Sequence, residues 1–303
     1  MFGQTARAES QEAIVWQGIA LGAGAEMRLY TDDKTIADKV INQVQQEIRR
    51  LENIFSLYQQ ESSLSQLNRY GHIENPPAEL LTVLVQAKEI HKLTKGKFDP
   101  TIQVLWNLYA EQRKQHPKGE YIPPSVEQLS QTLKLMDFSS VIFNEKEVRY
   151  LKPGIQMSLN GIAQGYITDK VMEIIRLAGI RRALIDIGEI RGMDLDKQGE
   201  WQVGIQNPKV DRGVLFNVTL QNAAIATSGG YGTIFDSQGK FTHLFNPHTG
   251  ENQPRYQSVT VMAPTAMLAD ALSTALAVSS PDEIKATEKV FPQIKVWVIP
   301  STP

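Results

Sequence analysis

The sequence predicts an α+β fold with a mixed, mostly antiparallel sheet and packed helices. Segments with a three- to four-residue apolar period, typical of amphipathic helices, are interspersed with short β-branched and aromatic stretches, typical of strands. They do not follow the regular strand–helix–strand order that favours a parallel sheet. The chain has 303 residues, which is enough for one large domain or two ordinary ones.

The first half of the chain contains strands and two helices. The alternation of Ala25, Met27 and Leu29 predicts a strand near the start. From Lys34 to Phe55 the apolar period is that of a long amphipathic helix. Another helix follows the "NPP" break, and its predicted buried residues are Leu80, Leu84, Ala87 and Ile90.

The second half contains a loop, two more helices and several strands. A Pro-rich surface loop is expected over 114–125. A third helix is expected from about Gly161 to Ala178, with Gly179 as its C-terminal cap. The later elements are strands at 183–187, 201–205, 214–220 and 241–245, a helix at 268–278 and a strand at 296–299.

Composition and charge exclude several classes of site and partner. The chain has no cysteine, which excludes disulfides, thiolate metal sites and cysteine nucleophiles. A formal net charge of −2 gives no global attraction to nucleic acid, and we predict no nucleic-acid partner. No apolar run approaches the roughly 18 residues of a membrane helix. Ala6-Arg7-Ala8 has the small-x-small pattern that precedes a signal-peptidase site, which suits an exported protein or an ordinary frayed terminus.

The apolar stretch "LADALSTALAV" carries a carboxylate and a hydroxyl on one helix face, because Asp270 and Thr274 stand four residues apart. An ionised carboxylate on a buried face needs a partner, and hard oxygen ligands suit Mg²⁺. The alternative is a helix-start carboxylate beside a threonine that bonds back to a main-chain carbonyl. The spacing leaves both interpretations open.

Two glycines flank the predicted start of the third helix in "SLNGIAQGYITDK". The free N–H groups of a helix start can hold an anion such as phosphate, so Gly161 and Gly165 mark a candidate phosphate site. The spacing matches no Walker or dinucleotide fingerprint, and glycines at a helix start also serve the turn itself.

The stretch "ATSGGYGTIFDSQGKFTHLFNPHTG" combines a loop of small residues with a histidine. Thr227, Ser228 and Gly229 offer hydroxyl and N–H donors. His243 lies in the alternating pattern of the predicted strand 241–245. It is either structural or, with an ordinary pKa near 6.5, a proton acceptor at neutral pH.

Asp99 stands before Pro100 among the aromatic residues Phe98, Trp106 and Tyr109. This pattern predicts either a turn followed by an aromatic core helix or an aromatic wall for a flat ring system. The turn with a core helix is the more common use of such a pattern.

Seven stretches occur in the order typical of the ApbE family of FAD:protein FMN transferases, which the chain resembles from about Trp16 to Ile299. They are FSLYQQESSLSQLNR, TKGKFDPT, SLNGIAQGYITD, ALIDIGEIR, IATSGGYGT, THLFNPHTG and VTVMAPTAMLADALSTAL. The resemblance implies a T-fold-like α+β architecture with FAD in a cleft between two lobes. We therefore expect a flexible segment over 1–12 and a single two-lobed domain over 13–303.

The resemblance also implies an activity. The family transfers FMN from FAD to a Thr or Ser hydroxyl of a target protein, with Mg²⁺ as the metal, and releases AMP. Targets are typically membrane subunits of redox complexes that are modified outside the cytoplasm. We thus expect FAD as substrate, such a target as partner, and a periplasmic or other extracytoplasmic location. FAD hydrolysis to FMN and AMP, and flavin binding without catalysis, are the alternatives.

The resemblance assigns site residues to three groups. Asp270 and Thr274 match the metal ligands, together with a main-chain oxygen at Gly161. His243 matches the histidine beside the reacting phosphate, and His243 and Asp270 are the expected catalytic residues. The expected FAD-binding residues are Tyr58, Phe98, Asp99, Asn160, Gln164, Asp186, Gly188, Glu189, Thr227, Ser228, Gly229 and Thr249.

Four positions depart from the family pattern. Ser158 stands where Asp is common, and Gln164 stands where Lys is frequent. Asn246 and His248 occupy the Asp and Arg positions of "DPRTG". These changes remove both negative and positive charges near the expected cleft, so they put metal affinity, phosphate affinity and catalytic rate in question.

Overall fold

The computed structural model describes residues 12–115, 120–207 and 213–301. Residues 1–11 of the expected N-terminal segment, including Ala6-Arg7-Ala8, lie outside this part of the chain. The observed architecture is α+β, as the sequence predicts.

An antiparallel sheet of seven strands forms the centre of the fold. The described strands are β1 Ile14–Ala20, β2 Ala23–Tyr30, β3 His72–Glu74, β4 Val141–Phe143, β5 Glu147–Tyr150, β6 Arg182–Asp186, β7 Ile190–Asp194, β8 Trp201–Gln206, β9 Val214–Leu220, β10 Ala224–Gly229, β11 Tyr256–Ala263 and β12 Lys295–Pro300. The order in the main sheet is β1-β2-β6-β7-β10-β11-β12, and each of these neighbouring pairs is antiparallel. The remaining strands form a β3-β5-β4 sheet and a β8-β9 hairpin.

Helices and the hairpin cover opposite faces of the main sheet. The described α-helices are α1 Lys34–Phe55, α2 Ser63–Tyr70, α3 Ala78–Leu93, α4 Gln103–Gln115, α5 Val126–Leu133, α6 Asn160–Leu177, α7 Ala266–Ala277 and α8 Pro281–Val290. Ala226 of β10 packs in the core below α6 and α7, whereas its neighbour Ile225 packs against the β8-β9 hairpin. None of the described helices combines the length and apolar character needed to cross a bilayer.

The helices with a long apolar period were predictable, and the short ones were not. The predictions of α1, α3, α6 and α7 are confirmed, and Gly179 follows α6 with a φ of +87°. Two of the missed helices depend on their caps, because α5 buries no residue and α8 buries only Ile284. Each of these two begins with a serine capping box, at Ser125 and Ser280.

The predicted strand over 241–245 is wrong. Apart from one isolated bridge between Ile234 and Thr242, this segment makes no ladder in the described structure. Its two phenylalanines instead pack with aromatic side chains from the region of α4, in a small cluster separate from the main core. The alternation of apolar residues arises because Phe241 and Phe245 pack into this cluster, and not because the segment pairs as a strand.

Candidate functional site

Two glycines of α6 allow α7 to approach it closely. A Cβ added at Gly165 would lie 2.3 Å from the main-chain oxygen of Ala266, and one at Gly161 would lie 2.7 Å from Thr274 Oγ1. Interiors are close-packed, so a larger residue at Gly165 would force the helices apart. The glycines of the sequence motif thus place the polar face of α7 against the first turns of α6.

Asp270 is held at this crossing. Its side chain is buried, and Oδ2 accepts a hydrogen bond of 2.9 Å from the main-chain N–H of Gly165. Because α7 begins at Ala266 with Thr265 as its N-cap, Asp270 lies beyond the first turn. The helix-start interpretation therefore does not apply, since the carboxylate bonds to α6 and not to its own helix end.

Hydroxyl groups continue the polar face beyond Asp270. Thr274 Oγ1 lies 3.5 Å from Ser228 Oγ at the end of β10, and Ser228 Oγ lies 2.7 Å from Ser273 Oγ. The end of β10 and one face of α7 therefore meet above the start of α6.

The carboxyl group of Glu189 lies near those of Asp270 and Asp186. Burial raises the pKa of Asp270 to about 7. Burial also raises the pKa of Glu189 well above its ordinary value, and the nearby charges of Asp270 and Asp186 add to this effect. Glu189 Oε2 is buried without a hydrogen-bond partner among the described residues. Carboxyl groups that are desolvated in this way are costly in their ionised form unless a cation neutralises them, and without one they tend to take up a proton.

The turn between β6 and β7 lies directly against α6. Gln164 Nε2 donates a hydrogen bond of 3.3 Å to the carbonyl of Ile187. A Cβ added at Gly188 would lie 1.5 Å from the same nitrogen, and the φ of Gly188 is +101°. The backbone conformation favours glycine at position 188, whereas the contact would be relieved by a shift of the flexible Gln164 side chain.

We expect Gly188→Ala to lower the free energy of unfolding by about 1–2 kcal/mol, because an L side chain is strained at positive φ. It should also displace the Gln164 amide and weaken FAD binding. Thermal denaturation and a flavin-fluorescence titration would measure the two effects. Adding Gln164→Ala removes the collision but not the φ strain, so a full return of stability in the double variant would contradict the strain contribution.

His243 is half-buried beside the loop that follows β10. Its Nδ1 lies 3.2 Å from both the main-chain nitrogen and the carbonyl oxygen of Thr233. Its Cε1 would lie 3.0 Å from a Cβ added at Gly232. Burial lowers the pKa of His243, so the imidazole is neutral at pH 7.

A model of the ApbE family matches residues 21–297. The chain belongs to the ApbE family. Two FAD:protein FMN transferases are each 30% identical to it: that of Haemophilus influenzae over 277 residues, covering 86% of this chain and 79% of that protein, and that of Vibrio cholerae over 304 residues, covering 96% and 88%. The crystal structure of the ApbE protein from Thermotoga maritima matches with a TM-score of 0.82 at 25% identity, covering 95% of this chain and 94% of that one.

Two of the expected FAD-binding residues, Phe98 and Asp99, have contacts away from the α6–α7 crossing. Phe98 is buried in the main core, and Asp99 Oδ1 accepts the N–H of Thr101 at 2.8 Å as a cap of a short 3₁₀ helix. Trp106 and Tyr109 pack against Phe235. The turn followed by an aromatic core helix is thus the interpretation that the structure supports.

Three other expected FAD-binding side chains also lie in different surroundings. Tyr58 is 85% exposed on the loop after α1. Thr227 precedes Ser228 on β10 and so faces the opposite side of the sheet, where it lies 2.9 Å from Thr260 Oγ1. The hydroxyl of Thr249 donates to Glu251 at 3.2 Å. Their role in FAD binding stays a prediction.

The departures from the ApbE pattern have local roles. Ser158 Oγ accepts the N–H of Asn160, which begins α6, at 3.3 Å. Asn246 Oδ1 accepts the N–H of His248 at 3.1 Å, which stabilises the turn in "NPHTG". A Cβ added at Gly96 would lie 3.2 Å from His248 Cε1. The two polar replacements therefore stabilise a helix start and a turn.

Tyr231 lies beside the candidate site, and the sequence analysis did not single it out. Its ring covers Gly229, since a Cβ added there would lie 2.3 Å from Tyr231 Cε1. Burial raises the pKa of Tyr231, and the charge of Glu189 contributes to the shift. Its place in "SGGYGT" was the only available signal, because its proximity to Glu189 depends on the packing of two loops distant in sequence.

Proposed function

We propose that the chain transfers FMN from FAD to a Thr or Ser hydroxyl of a target protein in a Mg²⁺-dependent reaction that releases AMP. One observation carries this proposal: Asp270 and Thr274 face the glycines of α6 beside the buried, unpartnered carboxyl oxygen of Glu189. The names of the two bacterial relatives, both FAD:protein FMN transferases, support the reaction class.

The oxygen donors at the crossing fit Mg²⁺. Gly161 has a φ of −85° and a ψ of 17°, outside helical geometry, and the N–H of Gly165 donates to Asp270. In a regular helix that N–H would donate to the Gly161 carbonyl, and its bond to Asp270 competes with that donation. The Gly161 carbonyl would hold the ion with the Asp270 carboxylate and the Thr274 hydroxyl. The bound ion would supply charge neutralisation of the FAD diphosphate and of the leaving AMP phosphate.

The single carboxylate in this donor set is consistent with a substrate-binding metal site. Among the described residues there is no group of three or more His, Asp or Glu side chains suited to hold a metal ion. Mg²⁺ commonly takes one or two carboxylates and completes its shell with water and substrate phosphate. The start of α6 would then lie beside the phosphates, where the side-chain amides of Asn160 and Gln164 would donate to them.

The remaining chemistry is a phosphoryl-group transfer. The acceptor hydroxyl oxygen attacks the FMN phosphorus, the bond from this phosphorus to the bridging oxygen breaks, and AMP leaves with that oxygen. His243 accepts the hydroxyl proton. This role requires the tautomer in which Nδ1 donates to the Thr233 carbonyl and does not accept the Thr233 N–H, because Nε2 then carries the lone pair.

We expect His243→Gln to lower the rate of transfer by about 10²–10⁴-fold and to change FAD affinity little, as for the loss of a general base. Because burial lowers the pKa of His243, the wild-type rate should be constant near pH 7 and decline only below pH 6.5, as the imidazole takes up a proton. A pH–rate profile from pH 5 to 8 measures this acid limb. The exposed His72→Gln is the control, and an unchanged acid limb in His243→Gln would contradict the role.

The proposed activity is tested by incubating the protein with FAD, Mg²⁺ and a redox-complex subunit domain that carries an acceptor Thr. AMP release together with a fluorescent target band indicates transfer. AMP without a band indicates FAD hydrolysis, and neither product indicates flavin binding alone. The identity of the target and an extracytoplasmic location stay predictions.

A further inference from the structure

Asp169 holds the beginning of α7. Its Oδ1 accepts the N–H of Ala266 at 2.8 Å, and its Oδ2 accepts the N–H of Met267 at 3.0 Å. These are the first two N–H groups of α7, which have no partner within their own helix. The carboxylate of one helix thus caps the other with both oxygens.

Asp169 is the third member of a stripe on α6 that faces α7. Gly161, Gly165 and Asp169 stand four residues apart, which places them on one helix face. Gly161 lies against Thr274, and Gly165 lies against Asp270 and Ala266. Asp169 accepts the first N–H groups of α7. The same stripe therefore contacts both proposed side-chain metal ligands and the start of the helix that carries them.

Arg191 of β7 orients the Asp169 carboxylate. Its guanidinium forms an ion pair with Asp169 Oδ1. Burial lowers the pKa of Arg191, but both side chains keep some contact with solvent, at 22% and 16% exposure. Replacing either residue should therefore leave the chain folded, since a partly solvated charge tolerates loss of its partner better than a fully buried one.

We propose that Asp169, oriented by Arg191, is a positioning residue that sets the axial position of α7 on α6 and thereby the affinity of the site for its divalent cation. Asp270 lies four residues, or roughly 6 Å, along the helix from Ala266. Mg²⁺ requires near-ideal ligand geometry, and metal–ligand distances vary by only about 0.2 Å. A small slide of α7 would therefore separate Asp270 and Thr274 from the Gly161 carbonyl. This role rests on the proposed function.

The test measures binding of Mn²⁺ alone to the full chain without FAD, by the electron paramagnetic resonance signal of free Mn²⁺. Mn²⁺ accepts the same oxygen ligands as Mg²⁺. Asp169→Asn and Arg191→Met should each raise the Mn²⁺ dissociation constant by about 10–100-fold, as for other residues that orient metal ligands. Arg191→Lys should restore most of the affinity, and transfer at saturating metal should recover in all three variants.

Two controls separate positioning from general stability. Asp33→Ala removes the N-cap of α1, so it lowers the melting temperature without contacting the site. Glu173→Gln changes a neighbouring carboxyl of α6 that pairs with the partly exposed Lys170. Neither should change Mn²⁺ affinity by more than about twofold. Wild-type affinity in Asp169→Asn and Arg191→Met, or an equal loss in Asp33→Ala, would overturn the positioning role.

Asp270→Asn distinguishes this inference from the proposed function. If Asp270→Asn loses Mn²⁺ binding while Asp169→Asn and Arg191→Met keep it, the metal site stands and the positioning role is wrong. If Asp270→Asn binds Mn²⁺ as the wild type does, the proposed metal site is wrong and the positioning role is overturned with it.

Discussion

Asp270→Asn is expected to lower Mg²⁺-dependent AMP release by about two to three orders of magnitude and to leave the fold intact. The loss follows because the amide supplies no negative charge to the ion, whose electrostatic stabilisation amounts to several kcal/mol. The fold should persist because the Asn side-chain oxygen can still accept the Gly165 N–H.

Asp270→Asn should not lower the melting temperature of the metal-free protein. Burial raises the pKa of Asp270 to about 7, so in the metal-free protein its ionised form costs stability as the pH rises from the ordinary value of 3.8 through 7. At pH 8 without metal, Asp270→Asn should therefore unfold at a melting temperature equal to or above that of the wild type.

Differential scanning fluorimetry at pH 8, with and without Mg²⁺, measures both effects. The wild type should gain stability on adding Mg²⁺, and Asp270→Asn should gain none, because only a ligand that binds the native state raises the melting temperature. Asp33→Asn is the matched control, since asparagine caps a helix as well as aspartate does. Undiminished AMP release in Asp270→Asn would rule out its role as a metal ligand.

Gly165→Ala should have the largest effect on stability among the glycine substitutions. The added Cβ would lie 2.3 Å from the Ala266 oxygen and 2.7 Å from the Met267 Cα, which are backbone atoms that no rotamer change can move. Overpacking of this kind costs about 3 kcal/mol, which for a chain of this length corresponds to a fall in melting temperature of roughly 5 °C. Because α7 must move, the hydrogen bond from Gly165 to Asp270 should also be lost, and Mg²⁺ should no longer stabilise the protein.

Gly24→Ala is the control for Gly165→Ala. A Cβ added at Gly24 meets no atom within 4 Å, so the same chemical change should alter stability little. Thermal unfolding of the two variants isolates the collision from the intrinsic difference between glycine and alanine. Equal melting temperatures for Gly165→Ala and the wild type would show that the helices separate at little cost.

Much of the candidate site was predictable because its signals are local. The four-residue spacing of Asp270 and Thr274 places them on one face of any helix, whatever surrounds it. The family resemblance then added Gly161, which lies against Thr274 in the structure. The alternation at His243 was misleading, because aromatic burial and strand pairing produce the same pattern of apolar residues.

The sequence by itself determined the long helices, the α+β class, the family and the polar face of α7, because periodicity and motif order depend on residues close together in the chain. Only the tertiary structure decided that the Gly165 N–H bonds to Asp270, 105 positions away, and that Asp169 caps α7. The tertiary structure also decided which carboxyl groups are desolvated. Desolvation and charge interaction depend on distances in space, and these distances exist only once the helices and the sheet have packed.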